Sequence, residues 1–360
     1  MRDLVQHIVV VGAGVIGSAI ALKAQERGAR VTLVDAGAAR ASDASFGWIN
    51  ASFYLSEDHF RLRSEGLEAY RRLSRDLDLP LTRAGCLSWE FAGEELARVH
   101  GELTGLGYPV ERVDAARMAD LEPALQGAPE EGLLFQTEAV AEPAALVRAL
   151  GAAALARGAR AIRGVAVTGL VMSGDRVSGV DTTAGRIEAD MVVVAAGTAS
   201  EAVLRSAGIA LPMLPRPAYI LETPPRPRML NRVLATTGGE VRQRADGVIV
   251  MPTSAAHQRD DAAALEDAPG EAADAALARL QEVLPQAGRD WAQVRLAHRP
   301  MPADGLPVIG AAAPGVYAAT MHSGLTLAAI TGELAAQEIC EGPSNTSTAM
   351  LAQFRPQRFA

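Results

Sequence analysis

Three glycines, Gly12, Gly14 and Gly17, stand in the spacing G-x-G-x-x-G, and Asp35 ends the next apolar run. Glycines so spaced suit a tight turn, a close backbone approach to a pyrophosphate, and close helix–strand packing. A carboxylate at Asp35 accepts both hydroxyls of a ribose and repels a 2′-phosphate, which disfavours NADP. Those residue types in that order describe a dinucleotide site and leave open which dinucleotide it holds.

The elements that must position them are legible around them. Ile8 to Val11 is a β-branched run suited to a strand buried on both faces of a parallel sheet. Val15 to Arg27 follows as a helix whose N-terminus offers free N–H groups and a positive dipole end, with Val15 and Ile16 nearest the ligand. Gly28 stops that helix, and "ARVTLV" leads to Asp35. Residues 36–52 read as a small, polar loop, and a helix with Ser56 as N-cap follows through Phe60, Leu67 and Tyr70. Strands are expected at 85–91 and 132–137, and helices at "GEELARVHGELTGLG", "DAARMADLEPAL" and "EPAALVRALGAAALARGA". "AIRGVAVTGLVM", "RVSGVDTTAG" and "RIEADMVVVAAGT" read as a meander feeding the apolar strand Met191 to Ala195. That strand is expected to share a sheet with the nucleotide unit. Proline density then rises at "LPMLPRP", a hairpin turns at Asp246-Gly247, and "DAPGEAADAALARLQEVLP" reads as an amphipathic helix capped by polar residues.

Composition bounds the rest. A chain of 360 residues is long for a single core, so two domains are expected. Hydrophobic content of 49% and a mean hydropathy of +0.11 are those of a soluble globular protein. No apolar run reaches the roughly 20 residues of a membrane helix. Net charge is −8 with no dense basic run, which excludes nucleic acid as an expected partner. Cys86 and Cys340 lack metal-ligand spacing and read as reduced thiols, giving an expected cytoplasmic location.

The end of the chain narrows the dinucleotide. "AHRPMPADGLPVIGAAAPGVYAATMHSGLTLAAITGELAAQEI" carries R-P-x-x-x-D-G-x-P-x-I-G followed by a helix start near Gly324. With the glycine unit and a mid-chain strand ending in A-x-G, the whole chain resembles the FAD-dependent oxidoreductases of the D-amino-acid oxidase, glycine oxidase and sarcosine oxidase family. A helix N-terminus there would stabilise the charge a reduced flavin develops at N1–C2=O, a need no nicotinamide has. The expected fold class is α/β: a Rossmann-like FAD-binding domain (1–80, 140–212 and 300–360) interleaved with an α+β substrate domain built on an antiparallel sheet (81–139 and 213–299).

The resemblance places Asp35 on the adenosine ribose, with Ala36 and Arg40 beside it. It places Ser42, Ser45, Gly47 and Trp48 near the pyrophosphate or isoalloxazine, and Val167 at the adenine through backbone groups. Ala196 and Gly197 end the mid-chain strand at the cofactor. Gly310 would lie beside the flavin, and His322, Gly324, Leu325 and Thr326 would line its pyrimidine edge. Arg299 would pair with a substrate carboxylate through its planar fork of donors. His322 joins it as a candidate catalytic side chain. Tyr219 has two readings, a hydrogen bond to substrate or a half-buried sheet tyrosine; His298 reads as packing or solvent-facing. His257 stands where relatives have Gly-rich strand, leaving the pocket roof open. The implied reaction is hydride transfer from the carbon of a neutral amine or amino acid to flavin N5, and the resulting imine hydrolyses. No dedicated base is required. Absence of Cys from the R-P segment and of His from the first loop implies non-covalent FAD. The single lysine, Lys23, lies in the first helix, so the electron acceptor is either oxygen, activated by Arg or His, or another carrier. Two alternatives remain: an FAD-dependent hydroxy-acid or polyol-phosphate dehydrogenase, and a non-catalytic flavin-binding redox sensor.

Overall fold

The computed structural model describes residues 6–38, 40–127, 129–255 and 268–360. Its first sheet has six strands in the order Val308–Ala313, Val316–Thr320, Met191–Val194, His7–Val11, Arg30–Asp35 and Arg160–Arg163. All neighbours are parallel except the first pair. The β-branched runs pair directly, Val10 opposite Val193 and Leu33, so this sheet is apolar on both faces. One face carries the helices Val15–Glu26 and Gly324–Glu341, which pack on each other and on Pro143–Ala156 and Glu57–Leu73. Being covered from several sides, the first helix buries nine of its twelve residues, which is why it shows no polar stripe. Gly66 lets the second helix come close to the late one: a Cβ there would meet the Thr326 carbonyl oxygen at 2.7 Å.

The second large sheet has eight strands in the order Gln293–His298, Pro217–Glu222, Ile249–Pro252, Gly239–Gln243, Val233–Thr236, Cys86–Ser88, Glu131–Phe135 and Glu111–Asp114. It is antiparallel apart from the pairing of Val233–Thr236 with Cys86–Ser88. Helix Pro269–Val283 covers one face through Leu277 and Leu280, against Leu221, Val241 and Ile249. The other face, with Ile220 and Val250, joins the core shared with the six-stranded sheet. A small sheet of Trp48–Ile49, Ala139–Ala141 and Leu81–Thr82 lies between them.

The mid-chain strand and the nucleotide unit do share a sheet, as expected. Two local readings change. "AIRGVAVTGLVM" is two strands: Arg160–Arg163 joins the parallel sheet, Gly164 turns at φ +71°, and Val167–Ser173 begins the meander. The helix at Pro269 has Ala268 at its N-cap and no side-chain cap; proline in the first turn starts it instead.

Candidate functional site

The glycine turn is held by contacts that tolerate no side chain. A Cβ on Gly12, which has φ +99°, would lie 2.5 Å from the Ala195 carbonyl oxygen, and one on Gly17 would lie 1.9 Å from the Gly12 carbonyl oxygen. Gly12 thereby rests on the end of the mid-chain strand, where Ala196 and Gly197 (φ +58°) follow. Gly14 differs. A Cβ there would meet only the Ser42 hydroxyl, at 3.4 Å, so the space on that side is open. Gly14 provides no side-chain cap, and the Val15 N–H donates to Ser42 Oγ at 3.2 Å, which also brings the loop to the start of the first helix beside Ile16.

Asp35 accepts from the Ala13 N–H (2.8 Å), the Gly37 N–H (3.0 Å) and Arg40 Nη2 (3.1 Å). Burial alone pushes its carboxyl up, yet these donors hold it below the usual carboxylate range. Three donors leave about one of a carboxylate's roughly four acceptor positions for a ribose hydroxyl. Ala36 is exposed beside it. The Val165 N–H donates to the Asp35 carbonyl at 3.1 Å, which carries the chain past this point to Val167.

A second helix start lies against the first. A Cβ on Gly324 would meet Val15 and Ile16 at 3.6 Å, so the N-termini of Val15–Glu26 and Gly324–Glu341 adjoin. Ser323, the N-cap, has φ +56° and makes no side-chain cap, so its own hydroxyl leaves the first-turn amides unoccupied. Thr326 fastens this turn to the loop: its hydroxyl donates to the Trp48 carbonyl (3.4 Å) and accepts from the Asn50 N–H (3.3 Å). Leu325 is held by Tyr70, whose hydroxyl donates to its carbonyl at 2.6 Å. Gly47 (φ +88°) passes under the Ala141 carbonyl, 2.5 Å from where its Cβ would be. The Ser45 hydroxyl accepts from the Gly47 N–H at 3.2 Å, which braces the turn and leaves its own O–H to donate. Burial, Arg299 and Arg63 drive His322 down to about 3, so its imidazole is neutral.

Arg299 is 7% exposed at the end of strand Gln293–His298; its N–H and its Nε both donate to the Arg216 carbonyl, at 3.0 and 3.2 Å. Its effect on His322 places the two side chains in one neighbourhood.

One expectation is corrected. Tyr219 pairs in register with Leu296, which is exposed, and alternates onto the face of Leu221 beneath helix Pro269–Val283. The face toward the nucleotide unit carries Ile220 and Glu222 instead, so the sheet-tyrosine reading holds and the substrate contact is withdrawn. Gly310, expected beside the flavin, also has a packing role: a Cβ there would meet Arg355 at 3.0 Å and Pro356 at 3.1 Å, so this glycine admits the C-terminal segment. His298 is exposed. His257 lies outside the described residues.

The motif reading missed a buried group that joins three segments. Arg63, on the second helix, is 3% exposed and donates from Nε to the Asn50 carbonyl (3.1 Å), from Nη2 to Asn50 Oδ1, and from Nη1 to Ser323 Oγ (2.8 Å). His59, one turn earlier, is pushed down to about 3 by burial, Arg63 and His322. It also missed Glu138, fully buried, which accepts from Trp48 Nε1 (2.8 Å), the Tyr108 hydroxyl (2.9 Å) and the Ser52 N–H (3.3 Å). Burial raises Glu138 to about 7 against those donors. From the eight-stranded sheet, Arg242 donates to the Phe46 carbonyl (2.5 Å) and Arg295 to the Asp43 carbonyl (3.0 Å), clamping the loop that carries Ser42 to Trp48. Arginine on a β-strand has no distinctive sequence pattern, and only the fold brings these side chains to the loop.

Two adjoining helix starts without caps of their own, an open glycine, and a carboxylate at the second strand's end fit a dinucleotide laid across both termini. Among the described residues no helix is long and apolar enough to cross a membrane, and no cluster could hold a metal ion.

Comparison with known proteins agrees. The D-amino-acid oxidase of Bradyrhizobium diazoefficiens is 28% identical over 98% of this chain and 99% of its own. The glycine oxidase of Pseudomonas aeruginosa is 28% identical over 90% and 92%. The structure of L-proline dehydrogenase from P. horikoshii superposes with a TM-score of 0.87 at 20% identity, covering 99% of this chain and 98% of that one, a likeness of fold. The model of the family DAO, FAD dependent oxidoreductase, matches residues 7–338, and this chain therefore belongs to the FAD-dependent oxidoreductases.

Proposed function

We propose that this protein oxidises a small amine or amino acid bearing a carboxylate, of the D-amino acid, glycine or N-methyl amino acid type. The observation that carries the reading is Arg299, buried, anchored on the Arg216 carbonyl and close enough to His322 to lower its basicity. When bound, FAD supplies the acceptor for a hydride from the amine-bearing carbon. The open side of Gly14 and the first helix start hold the pyrophosphate, Asp35 takes ribose hydroxyl, and the backbone at Val167 meets the adenine. The amides of Gly324, Leu325 and Thr326 face the pyrimidine edge. Arg299 grips the substrate carboxylate and so fixes which carbon faces the ring. His322, neutral, offers a hydrogen-bonding group without adding charge beside the substrate amine. A neutral amine enters already deprotonated, so no side chain has to act as base.

Residues 1–80, 140–212 and 300–360 are assigned to the FAD-binding unit and 81–139 and 213–299 to the substrate unit; the strands of the six- and eight-stranded sheets, drawn from those respective ranges, support the division. FAD is held non-covalently. Cys86 is fully buried in the eight-stranded sheet, and Cys340 sits in the last turn of the late helix, some 20 Å or more from its start. Lys23 is near the far end of the first helix, paired with Glu26 at 2.8 Å, so no lysine serves oxygen chemistry at the site. Oxygen use is accordingly slow, or electrons leave to another acceptor.

Rapid anaerobic mixing with amino acids and with the corresponding decarboxylated amines tests this reading. The flavin is expected to bleach with an amino acid at least tenfold faster than with its amine, and kcat/KM is expected to rise with pH toward the substrate amine's pKa. Equal rates with and without the carboxylate would remove Arg299 from its role.

A further inference from the structure

Arg63 is a charge buried among neutral partners. Its three hydrogen bonds go to the Asn50 carbonyl, the Asn50 amide oxygen and the Ser323 hydroxyl. It forms no salt bridge among the described residues, whereas Arg242, as deeply buried, pairs with Glu142 at 2.9 Å. Glu138 is the carboxylate whose charge reaches Arg63, but it accepts from Trp48, Tyr108 and Ser52 and forms no ion pair with Arg63 among the described residues. His59 and His322 stay neutral close by. Arginine does not escape such a place by losing its proton. An unpaired buried charge is strongly unfavourable, so an anion is to be expected opposite it.

Ser323 shows where that anion belongs. It is the one non-glycine residue with positive φ among the described residues, a conformation that is sparsely populated for L-residues. An ordinary serine N-cap turns its hydroxyl onto its own helix. Here Ser323 receives Nη1 of Arg63 at 2.8 Å and makes no cap bond. The charge is therefore coupled to the helix start while the first-turn amides remain available to a ligand. Asn50 closes the ring, since its N–H meets Thr326 in that same turn.

We propose that Arg63 is a positioning residue whose fixed charge, relayed through Ser323, makes the start of helix Gly324–Glu341 selectively favourable to reduced flavin. A hydride brings two electrons and one proton to N5, so the ring system gains one negative charge, which Arg63 then balances. This rests on the reading that the flavin pyrimidine edge lies at that helix start. It gives the second helix, which supplies none of the motif residues, a part in setting the reduction potential.

The test is the flavin midpoint potential by anaerobic dye-coupled titration of wild type, R63Q, R63K and S323G, with apoprotein melting temperature alongside. R63Q is expected to lower the preference for reduced over oxidised FAD at least tenfold, about 30 mV for a two-electron couple. R63K returns most of that loss, and S323G, which keeps the left-handed backbone accessible, gives a smaller loss in the same direction. A merely structural Arg63 would lower the melting temperature and leave the potential unmoved, and that result in R63Q overturns the proposal. Should R63Q fail to fold, an unchanged potential in S323G overturns it instead. Wild type that takes up no FAD would defeat the parent reading, a failure visible before any variant is compared.

Discussion

Gly14 and Gly17 sit three residues apart in one motif, and the structure assigns them opposite sensitivities. An added Cβ at Gly17 would lie 1.9 Å from the Gly12 carbonyl oxygen, so the first helix must move off the turn by about 1 Å or more. Overpacking of that kind costs roughly 3 kcal/mol or more. At about 2–4 °C per kcal/mol for a large domain, G17A should melt at least about 6 °C below wild type without any ligand. A Cβ at Gly14 meets only the Ser42 hydroxyl at 3.4 Å, and Gly14 has φ −72°, which alanine adopts freely. Replacing glycine by alanine at an N-cap costs no more than about 1 kcal/mol, so G14A apoprotein should melt within about 4 °C of wild type. The methyl group does fill the open side where a phosphate would lie. Losing one charge-assisted hydrogen bond, about 1.5–3 kcal/mol, raises the FAD dissociation constant roughly 10- to 100-fold. Calorimetry of the apoproteins and fluorescence titration with FAD read the two effects separately. G14A binding FAD within threefold of wild type, or melting as low as G17A, would refute the assignment.

R299Q should raise KM for a carboxylate-bearing substrate about 30-fold or more while leaving bound FAD per chain unchanged, since removing one partner of a buried charge pair costs roughly 2–5 kcal/mol; loss of FAD with little change in KM would contradict it. Stability should fall on acidification: His59 and His322 are at about 3 in the fold against 6.5 otherwise, so the unfolded chain takes up protons first, and their contribution is complete above pH 6.5 and lost toward pH 3. Glu138, raised to about 7 from 4.5, contributes fully below pH 4.5 and loses that contribution as pH rises through 7, so between 6.5 and 4.5 two histidines oppose one carboxyl. A melting temperature that does not drop across that interval, or an H59Q profile as steep as wild type, would count against this assignment. R242Q releases the Phe46 carbonyl and should weaken FAD binding about tenfold through the 42–48 loop, read by the same fluorescence titration, with unchanged affinity the contrary result.

What could be read from the chain was what neighbouring residues encode together. The glycine turn, its flanking strands, Asp35 and the start of the late helix each depend on a short contiguous stretch. Arg63, Asn50 and Ser323 escaped because the interaction joins the second helix, a loop and the late helix, with Arg63 and Ser323 260 residues apart. Tyr219 was ambiguous because period-two alternation states that neighbours face opposite ways, and only the position of helix Pro269–Val283 decides which way is inward. The packing role of Gly310 was hidden for a related reason: the side chain it makes room for, Arg355, arrives from the far end of the chain. The loop arginines Arg242 and Arg295 look like any polar residues of a half-exposed strand until Phe46 and Asp43 are set against them.

The central claim, that FAD in this protein is reduced by a carboxylate-bearing amine, is tested most directly by absorbance spectroscopy of the purified holoprotein under anaerobic conditions. D-amino acids, glycine, sarcosine and proline are added in turn, with hydroxy acids and a polyol phosphate in parallel. The account predicts a two-banded flavin spectrum that bleaches with at least one of the amines and with none of the hydroxyl compounds. A flavin bleached only by a hydroxyl compound, or oxidised throughout although dithionite reduces it, would contradict the account.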